Sequence, residues 1–347
     1  MTKADAANGI ELSRAYWEQV VAPIVLERWP SMPHAAARLG HGSDVLDLDD
    51  EMSRDHDWGL RLNLFVPPEM TTEVDAALAA SLPDRFAERP TRFTMASDAT
   101  VRHRVAVADV RRFTTSTVGV NAWRDLTVDE WLSVTGQGVL EVTAGAVFVD
   151  TNGELSGIRH RLRWYPDDVW RYVVAVDWAR LEQELPFVGR TGGRGDDLGS
   201  RVLAARLAGI VMHLGFLLER RWPPYSKWIG TVFATLQPGE EVTPLLGRAL
   251  AADDWREREA ALVEGVRYLA LRQRDVGLPD VGDPVGRFYD RPAYGIRPEV
   301  IEAVTASIVS ARVRDRPYGM GSTEQRSHNV NVLLDAAGRA GVRSSAS

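Results

Sequence analysis

The residues best suited to chemistry lie in GSDVLDLDDEMSRDHDWG, residues 42–59. Gly42 allows the backbone to approach a ligand closely, and Ser43 offers both a hydroxyl group and its own N–H. Asp55 and Asp57 lie at the start of a predicted strand, where side chains two residues apart share one face. Two carboxylates on one face can hold Mg2+, which prefers oxygen ligands and retains waters and substrate phosphates. The pattern predicts a metal and phosphate site, and the alternative is a solvated acidic loop.

The position of the two aspartates favours the metal site over the loop. Trp58 and an apolar run follow Asp57 directly, so burial is expected to begin there. Buried carboxylates without a compensating partner are costly. The other acids of the segment are predicted to be surface charges, and these are Asp44, Asp47, Asp49, Asp50 and Glu51.

The composition excludes several kinds of protein and site. The 347 residues, 45% hydrophobic and 26% charged, suffice for one large domain or two smaller ones. The chain has no cysteine, which rules out disulfides, thiolate catalysis and cysteine-bound metals. With a net charge of −7, no nucleic-acid partner is expected. The sequence shows no signal peptide and no uninterrupted apolar span long enough to cross a bilayer, which predicts a cytoplasmic protein without a membrane partner.

Hydrophobic periodicity predicts an α+β chain with a change of texture near residue 150. Alternating segments predict strands at 35–43, 55–66, 101–110 and 139–150, the first of which runs into a turn at Gly42–Ser43. Helical spacing predicts helices at 10–28, 71–82, 167–185, 201–221, 255–275 and 298–313. The fold class expected is a small mixed-sheet head followed by an all-helical C-terminal body. The predicted boundaries are 1–150 for the head, 151–335 for the body and 336–347 for a frayed tail.

Two segments of the helical body could bind phosphate. GRTGGRGDDLGS, residues 189–200, precedes a long helix whose N-terminus would attract anions, and Arg190 adds positive charge. The alternative is a flexible connection with Asp196 or Asp197 at the helix start. In PPYSKW, Lys227 could contact a triphosphate while Tyr225 stacks on a base; its alternative is a surface lysine. His213 lies in an apolar helix and is predicted to be packed in the core.

Four segments resemble the bacterial domain-of-unknown-function family 4037, a nucleotidyltransferase-like group related to the aminoglycoside nucleotidyltransferases. They are GSDVLDLDDEMSRDHDWG, TAGAVFVDTNGELSGIRHRLRWYPDDVWRY, FVGRTGGRGDDLGSRVLAARL and PPYSKWIGTVFATL, and MGSTEQRSHNVNVL is also similar. The resemblance implies that Gly42 and Ser43 grip a triphosphate and that Asp55 and Asp57 carry Mg2+.

The sequence departs from the family pattern at the third carboxylate. Related enzymes supply this group from a neighbouring strand, and the matching segment here, Val105-Ala106-Val107, has an alanine in its place. Asp109, Glu141 and Asp150 are the candidates to replace the missing ligand.

The resemblance implies transfer of a nucleoside monophosphate, AMP from ATP or an equivalent from another nucleoside triphosphate, to a hydroxyl group of a small-molecule acceptor. Pyrophosphate is released, and Glu141 and Asp150 are the candidate general bases. A homodimer is an open possibility. Two other functions stay open at this point: a catalytically degenerate nucleotide-binding protein, and a helical interaction module.

Overall fold

A computed structural model of the protein describes residues 8–50, 58–96 and 98–339. The chain forms two compact units, of which the first comprises Met1–Leu126, Gly138–Arg163 and Asp335–Ser347. The second comprises Thr127–Gln137 and Trp164–Leu334. The main boundary therefore lies after Arg163, later than the predicted residue 150.

The first unit contains a five-stranded mixed sheet with the order β5-β6-β2-β1-β7. β1 pairs antiparallel with both β2 and β7, β2 pairs parallel with β6, and β5 pairs antiparallel with β6. Two short hairpins complete the described strands: β3–β4 in this unit and β8–β9 in the second unit. The strands are β1 Ala35–Arg38, β2 Arg61–Phe65, β3 Arg85–Phe86, β4 Arg89–Pro90, β5 Arg92–Met95, β6 Asp98–Ala108, β7 Ala146–Asp150, β8 Val285–Arg287 and β9 Tyr294–Ile296.

Helices account for 57% of the protein. The N-terminal helical segment is continuous, because a π-helical turn, Trp17–Val21, joins α1 to α2. In the described residues the helices are α1 Gly9–Tyr16, α2 Ala22–Arg28, α3 Thr71–Ser81, α4 Val110–Val118, α5 Val128–Ser133, α6 Gly136–Thr143, α7 Glu154–Arg161, α8 Asp167–Gly192, α9 Asp197–Leu218, α10 Ile229–Phe233, α11 Gly239–Ala251, α12 Trp255–Asp275, α13 Pro298–Ala306, α14 Ala311–Arg314, α15 Thr323–Arg326 and α16 Val330–Leu334. The small mixed sheet in the N-terminal part and the helical C-terminal body confirm the predicted fold class.

Alternation along β2 and β6 separates the two faces of the sheet. Leu62, Leu64 and Val105 are buried in a core that includes residues from α1, α2 and α3. Each such side chain contributes about 1.5–3 kcal/mol when it is removed from water. The intervening residues of the same strands, Asn63 and Ala106 among them, project on the opposite face, and residues of both faces line the candidate site.

Two sequence predictions in this unit are wrong at the level of local structure. The predicted strand 139–150 contains helix α6 in its first half and only β7 in its second. Val139 and Val142 are both fully buried, and three-residue spacing places them on one face of a helix but on opposite faces of a strand. The predicted frayed tail is also wrong for its described part, because Arg339 is buried and donates to the carbonyl of Thr117 at 2.7 Å.

The second unit is built around α9, which packs against α8 and α12. In length and apolarity α9 is the one described helix that could cross a membrane, but 61% of its most apolar stretch is buried inside the protein. Burial of this kind is expected of a central helix in a helical core.

Candidate functional site

A buried ion pair fixes the turn at Gly42–Ser43. Arg38, at the end of β1, donates from Nε and Nη2 to the two carboxylate oxygens of Asp44, at 2.7 and 2.8 Å. The side chains are 2% and 8% exposed. Arg38 also donates to the carbonyls of Leu39 and His41, at 2.5 and 3.2 Å. Asp44 is therefore not the surface charge that the sequence predicted, because it neutralises a buried guanidinium.

Gly42 is required by this ion pair. Its φ is +143°, and a Cβ atom there would lie 2.3 Å from Asp44 Oδ1 and 2.5 Å from Arg38 Nη2. No side chain fits at such distances, so the glycine has a structural reason besides the close approach of a ligand.

We expect Gly42→Ala to lower the free energy of unfolding by about 3 kcal/mol, because it adds a steric clash to an unfavourable backbone conformation. Gly40→Ala is the matched control, since Gly40 also has a positive φ, +84°, but nothing lies within 4 Å of its Cβ position. Urea unfolding of both variants measures the difference. Equal losses would show that the ion pair does not restrict residue 42.

Ser43 combines a fixed backbone with an available side chain. It is half-buried and precedes the 3-10 turn Asp44–Leu46. Its hydroxyl group does not cap that turn and has no hydrogen-bond partner within residues 8–50, 58–96 and 98–339. The hydroxyl is therefore able to donate to a bound ligand.

A cavity of about 640 Å³ lies beside the segment that leads into the turn, and residues 38–41, β2, β6 and the start of α3 contribute to its lining. Its charged lining includes four arginines and two aspartates, and these are Arg38, Arg61, Arg102, Arg104, Asp75 and Asp98. His41 and His103 also contribute to the wall. Because Asp44 neutralises Arg38, these side chains leave an excess of one positive charge, which suits an anionic ligand such as a polyphosphate.

Asp98 is held in its charged form by the arginines around it. Arg104 Nη1 and Arg102 Nε donate to its Oδ2 at 2.8 and 2.9 Å. Hydrogen bonds from Arg104, Thr100 and Arg102 hold the pKa of Asp98 well below its usual range. With both arginines already bound, this carboxylate is a structural anchor for the cavity wall, and neither Asp98 nor Asp75 was singled out in the sequence.

The alanine expected in place of the third carboxylate faces this cavity. Ala106 is exposed, lines the cavity and pairs in register with Asn63. Asn63 is buried and accepts a hydrogen bond from Leu39 N at 2.8 Å. The position next to the predicted metal site on β6 therefore offers no ligand.

Asp55 and Asp57, the predicted metal ligands, lie outside the described residues. The strand that follows them is shorter than predicted, because β2 begins at Arg61. Gly59 has a φ of +151°, which turns the chain before the strand starts. That Asp55 and Asp57 share one face therefore stays a prediction.

Two of the candidate replacement carboxylates, Asp109 and Asp150, lie at the end of the sheet away from Arg38, where both line one cavity. Asp150 pairs with Ala35 at the start of β1, about 10 Å along the strand from Arg38, and its Oδ2 accepts from Ser156 N at 2.8 Å. Asp109 follows β6 and caps α4 by accepting from Arg112 N at 2.8 Å. Neither lies at the Gly42–Ser43 turn.

Glu141 is the candidate that the fold brings to the turn. Its backbone carbonyl accepts from Gly40 N at 2.7 Å, so this part of α6 lies beside the chain that leads into Gly42. Of the two candidate general bases, Glu141 belongs to a segment beside the turn and Asp150 does not, and the role of each stays a prediction.

The other predicted nucleotide ligands belong to the second unit. Arg190 lies over the rings of Phe187 and Phe288, at 5.2 and 5.8 Å. Lys227 is exposed, and its Nζ lies 4.7 Å from the ring of Trp228. Tyr225 is half-buried and donates from its backbone N–H to Gln137 Oε1 at 3.3 Å. Their contacts with a nucleotide stay predictions.

The glycine-rich segment before α9 matches the alternative interpretation more closely than the phosphate-binding one. Asp196 caps the helix by accepting from Gly199 N at 2.8 Å, so a carboxylate of the protein already occupies the N-terminus of α9. Asp197 pairs with Arg201 and with the fully buried Arg258, at 2.6 and 2.8 Å.

A buried charge network in the second unit was missed by sequence reasoning. Asp177 on α8 is fully buried and lies 2.5 Å from His213 Nδ1, while His213 Nε2 lies 3.8 Å from Glu324 Oε2. His213 is packed in the core, as predicted, but between two carboxylates. Burial lowers its pKa, yet Asp177 and Glu324 outweigh this effect and raise the pKa to about 9.

We expect the stability of the second unit to fall as the pH rises from 6.5 to 9.5. A histidine whose pKa is raised from 6.5 to about 9 stabilises fully below 6.5 and loses that contribution through about 9. The loss is on the order of 2 kcal/mol, measured as the free energy of urea unfolding at several pH values. His213→Gln, though less stable throughout, should lack this slope. An unchanged slope in the variant would contradict the assignment.

Comparison with known proteins supports the family resemblance. Residues 131–229 match the model of a family described as a domain of unknown function, DUF4037. This match confirms the resemblance stated from the sequence, over a segment that extends from α5 to the start of α10. The DUF4037 match includes Glu141, Arg190 and Lys227, whereas Gly42 and Ser43 precede it.

One solved structure with a broad overlap is that of a nucleotidyltransferase-like protein from Exiguobacterium sibiricum 255-15. It shares 14% identity with this chain, covers 75% of this chain and 76% of its own, and has a TM-score of 0.34. A likeness this loose carries no argument about chemistry. None of the curated proteins matches the sequence.

Proposed function

We propose that this protein is a metal-dependent nucleotidyltransferase of the cytoplasm. It would transfer AMP from ATP, or a related nucleoside monophosphate, to a hydroxyl group on a small molecule and release pyrophosphate. The observation that carries the proposal is the turn at Gly42–Ser43. It is fixed by the buried Arg38–Asp44 pair, its Ser43 hydroxyl has no hydrogen-bond partner among the described residues, and it follows β1, an inner strand of the mixed sheet.

The electrostatics of the cavity support a triphosphate ligand. A nucleoside triphosphate carries three or four negative charges, and the cavity wall carries four arginines, of which Asp44 neutralises Arg38, against two aspartates. Arg61, whose Nη2 lies 3.3 Å from His41 Nε2, belongs to that wall and follows the acidic segment directly. Ser43 would donate its hydroxyl to a phosphate oxygen at the turn.

Magnesium is assigned in this proposal to Asp55 and Asp57. Within the described part of the chain no group of three or more histidine, aspartate or glutamate side chains could hold a metal ion. The described residues therefore do not form the metal site by themselves. When bound, Mg2+ would neutralise charge on the triphosphate.

The chain's own residues would position and deprotonate the acceptor. The acceptor oxygen forms a bond to the α-phosphorus, the bond from that phosphorus to the bridging oxygen breaks, and its electron pair leaves with pyrophosphate. The proton of the acceptor hydroxyl passes to a base, and Glu141 is the candidate that the fold brings beside the turn. Arg190, Tyr225 and Lys227, which belong to the second unit, stay proposed nucleotide ligands.

One observation favours a second candidate, a protein that binds nucleotide without transferring it. Ala106 faces the cavity where related enzymes have a carboxylate, and Asp109 and Asp150 lie at the far end of the sheet. Loss of the third metal ligand would weaken catalysis more than binding, because binding depends on the turn and the basic wall.

The decisive experiment incubates the purified full chain with α-labelled ATP, Mg2+ and a panel of hydroxylated small molecules. Labelled product together with pyrophosphate supports transfer. A magnesium-dependent rise in melting temperature without product supports the second candidate. If no nucleoside triphosphate changes the melting temperature, both candidates are wrong and the interaction module remains.

A further inference from the structure

The second unit contains a cavity that the proposed reaction does not use. It has a volume of about 460 Å³, a size suited to a small organic ligand. Its polar lining comes from α8, α9 and the segment after α14, and includes Arg180, Glu184, Arg206, Arg326 and His328.

The sequence places these residues together in an orderly way. Val176, Arg180 and Glu184 recur at four-residue spacing and so lie along one face of α8. Arg206 is on the adjacent helix α9. Besides the walls formed by α8 and α9, the cavity has a third wall that includes Arg326 and His328. These two residues belong to the MGSTEQRSHNVNVL segment, which also resembles the family.

That third wall is attached to α8 by hydrogen bonds. Gln325 is buried, and its Nε2 donates to Val173 O and to Asp177 Oδ1, both at 2.8 Å. Asp177 is in turn paired with His213. The buried network therefore fixes the segment that carries Arg326 and His328.

Each arginine of the cavity is only partly engaged by the protein. Arg180 donates from Nη1 to Asp177 Oδ1 at 2.8 Å, and Arg206 donates from Nη1 to Glu184 Oε1 at 2.7 Å. Arg326 makes only a long contact, 3.4 Å, from Nε to Ser322 O. Among the described residues, the Nη2 groups of these three side chains have no acceptor. Three converging guanidinium groups with spare donors suit a phosphate.

Glu184 favours a ligand that carries a hydrogen-bond donor. Its Oε1 is bonded to Arg206, but its Oε2 is buried and has no hydrogen-bond partner in the described structure. A buried carboxylate oxygen without a donor is costly, so a ligand hydroxyl group that donates to it would be favourable.

We propose that this cavity, the α8–α9 cavity, binds a hydroxylated small molecule that carries a phosphate group. The phosphate contacts Arg180, Arg206 and Arg326, and a hydroxyl group of the same molecule donates to Glu184. The proposal concerns the second unit alone and is independent of the nucleotidyltransferase reaction.

Isothermal titration calorimetry with three probes tests it: glycerol 3-phosphate, inorganic phosphate and glycerol. The wild-type chain is expected to bind glycerol 3-phosphate saturably, inorganic phosphate about tenfold more weakly and glycerol not at all. Arg326→Gln should weaken glycerol 3-phosphate binding by about tenfold or more. Glu184→Ala should bind inorganic phosphate at least as tightly as the wild type but lose the preference for glycerol 3-phosphate.

Arg248→Gln is the matched control, since Arg248 is a half-exposed arginine of the same unit, paired with Glu264 at 2.7 Å and outside the cavity. It should leave both affinities unchanged. Three results would overturn the proposal: no saturable binding up to about 10 mM probe, an equal loss in the Arg248 and Arg326 variants, or a preference for glycerol 3-phosphate that survives in Glu184→Ala.

Discussion

Replacing Asp57 by asparagine is expected to reduce nucleotide transfer on the order of 10³-fold at saturating ATP and Mg2+. Asparagine retains the size of the side chain but removes the charge that the proposal assigns to magnesium. Asp55→Asn should have a similar effect, and the double variant should lose little more, because the two carboxylates act as one site. Pyrophosphate release under single-turnover conditions measures the chemical step.

Asp47→Asn is the control for this prediction. Asp47 belongs to the same acidic segment, is exposed and has a φ of 58°, a conformation that asparagine adopts readily. It should transfer nucleotide at the wild-type rate. Full activity in Asp57→Asn would contradict the assignment of magnesium to this position. A loss shared equally by Asp47→Asn would instead indicate a general effect of charge in the segment.

The second large effect concerns stability. Asp44→Asn is expected to lower the free energy of unfolding by about 3–5 kcal/mol, because it leaves the guanidinium of Arg38 buried without a counter-charge. Both side chains are almost completely inaccessible, so water cannot compensate. Chemical unfolding of the wild type and the variant, monitored by circular dichroism, measures the change.

The double variant Arg38→Met, Asp44→Leu tests the reason for that loss. A pair of apolar side chains removes both charges, and should recover a substantial part of the stability lost in the single variant. Arg267→Gln, which breaks a half-exposed pair with Asp283, should cost less than about 1 kcal/mol. A loss of that size in Asp44→Asn would contradict a structural role for the buried pair.

Simple patterns in the sequence predicted the sheet and the helical body. β2 and β6 alternate apolar and polar residues, and this alternation fixes which side chains face the core. The pattern failed for the segment Val139–Val142, because a short apolar run bounded by small residues is compatible with either a strand or a helix. Both valines are buried by contacts with the rest of the fold, and burial of residues three apart favours the helix.

The candidate site was only partly predictable because its structural parts depend on contacts that leave no periodic signal. The Gly42–Ser43 turn could be identified by residue type. Its dependence on Arg38 and Asp44 could not, since a charged residue in an acidic segment is usually solvated. Similarly, His213 was recognisable as a core residue. Its two carboxylate partners come from α8 and from the segment near Glu324, far away along the chain.

The chain passes between the two units four times, after Leu126, Gln137, Arg163 and Leu334. The last passage returns Arg339 to the first unit, where it is buried and bonded to Thr117. On the ribosome, domains usually fold as their residues emerge, beginning with the N-terminal one. Here all five strands of the sheet are synthesised by Asp150, but the buried contact of Arg339 can form only after almost the whole protein has been made.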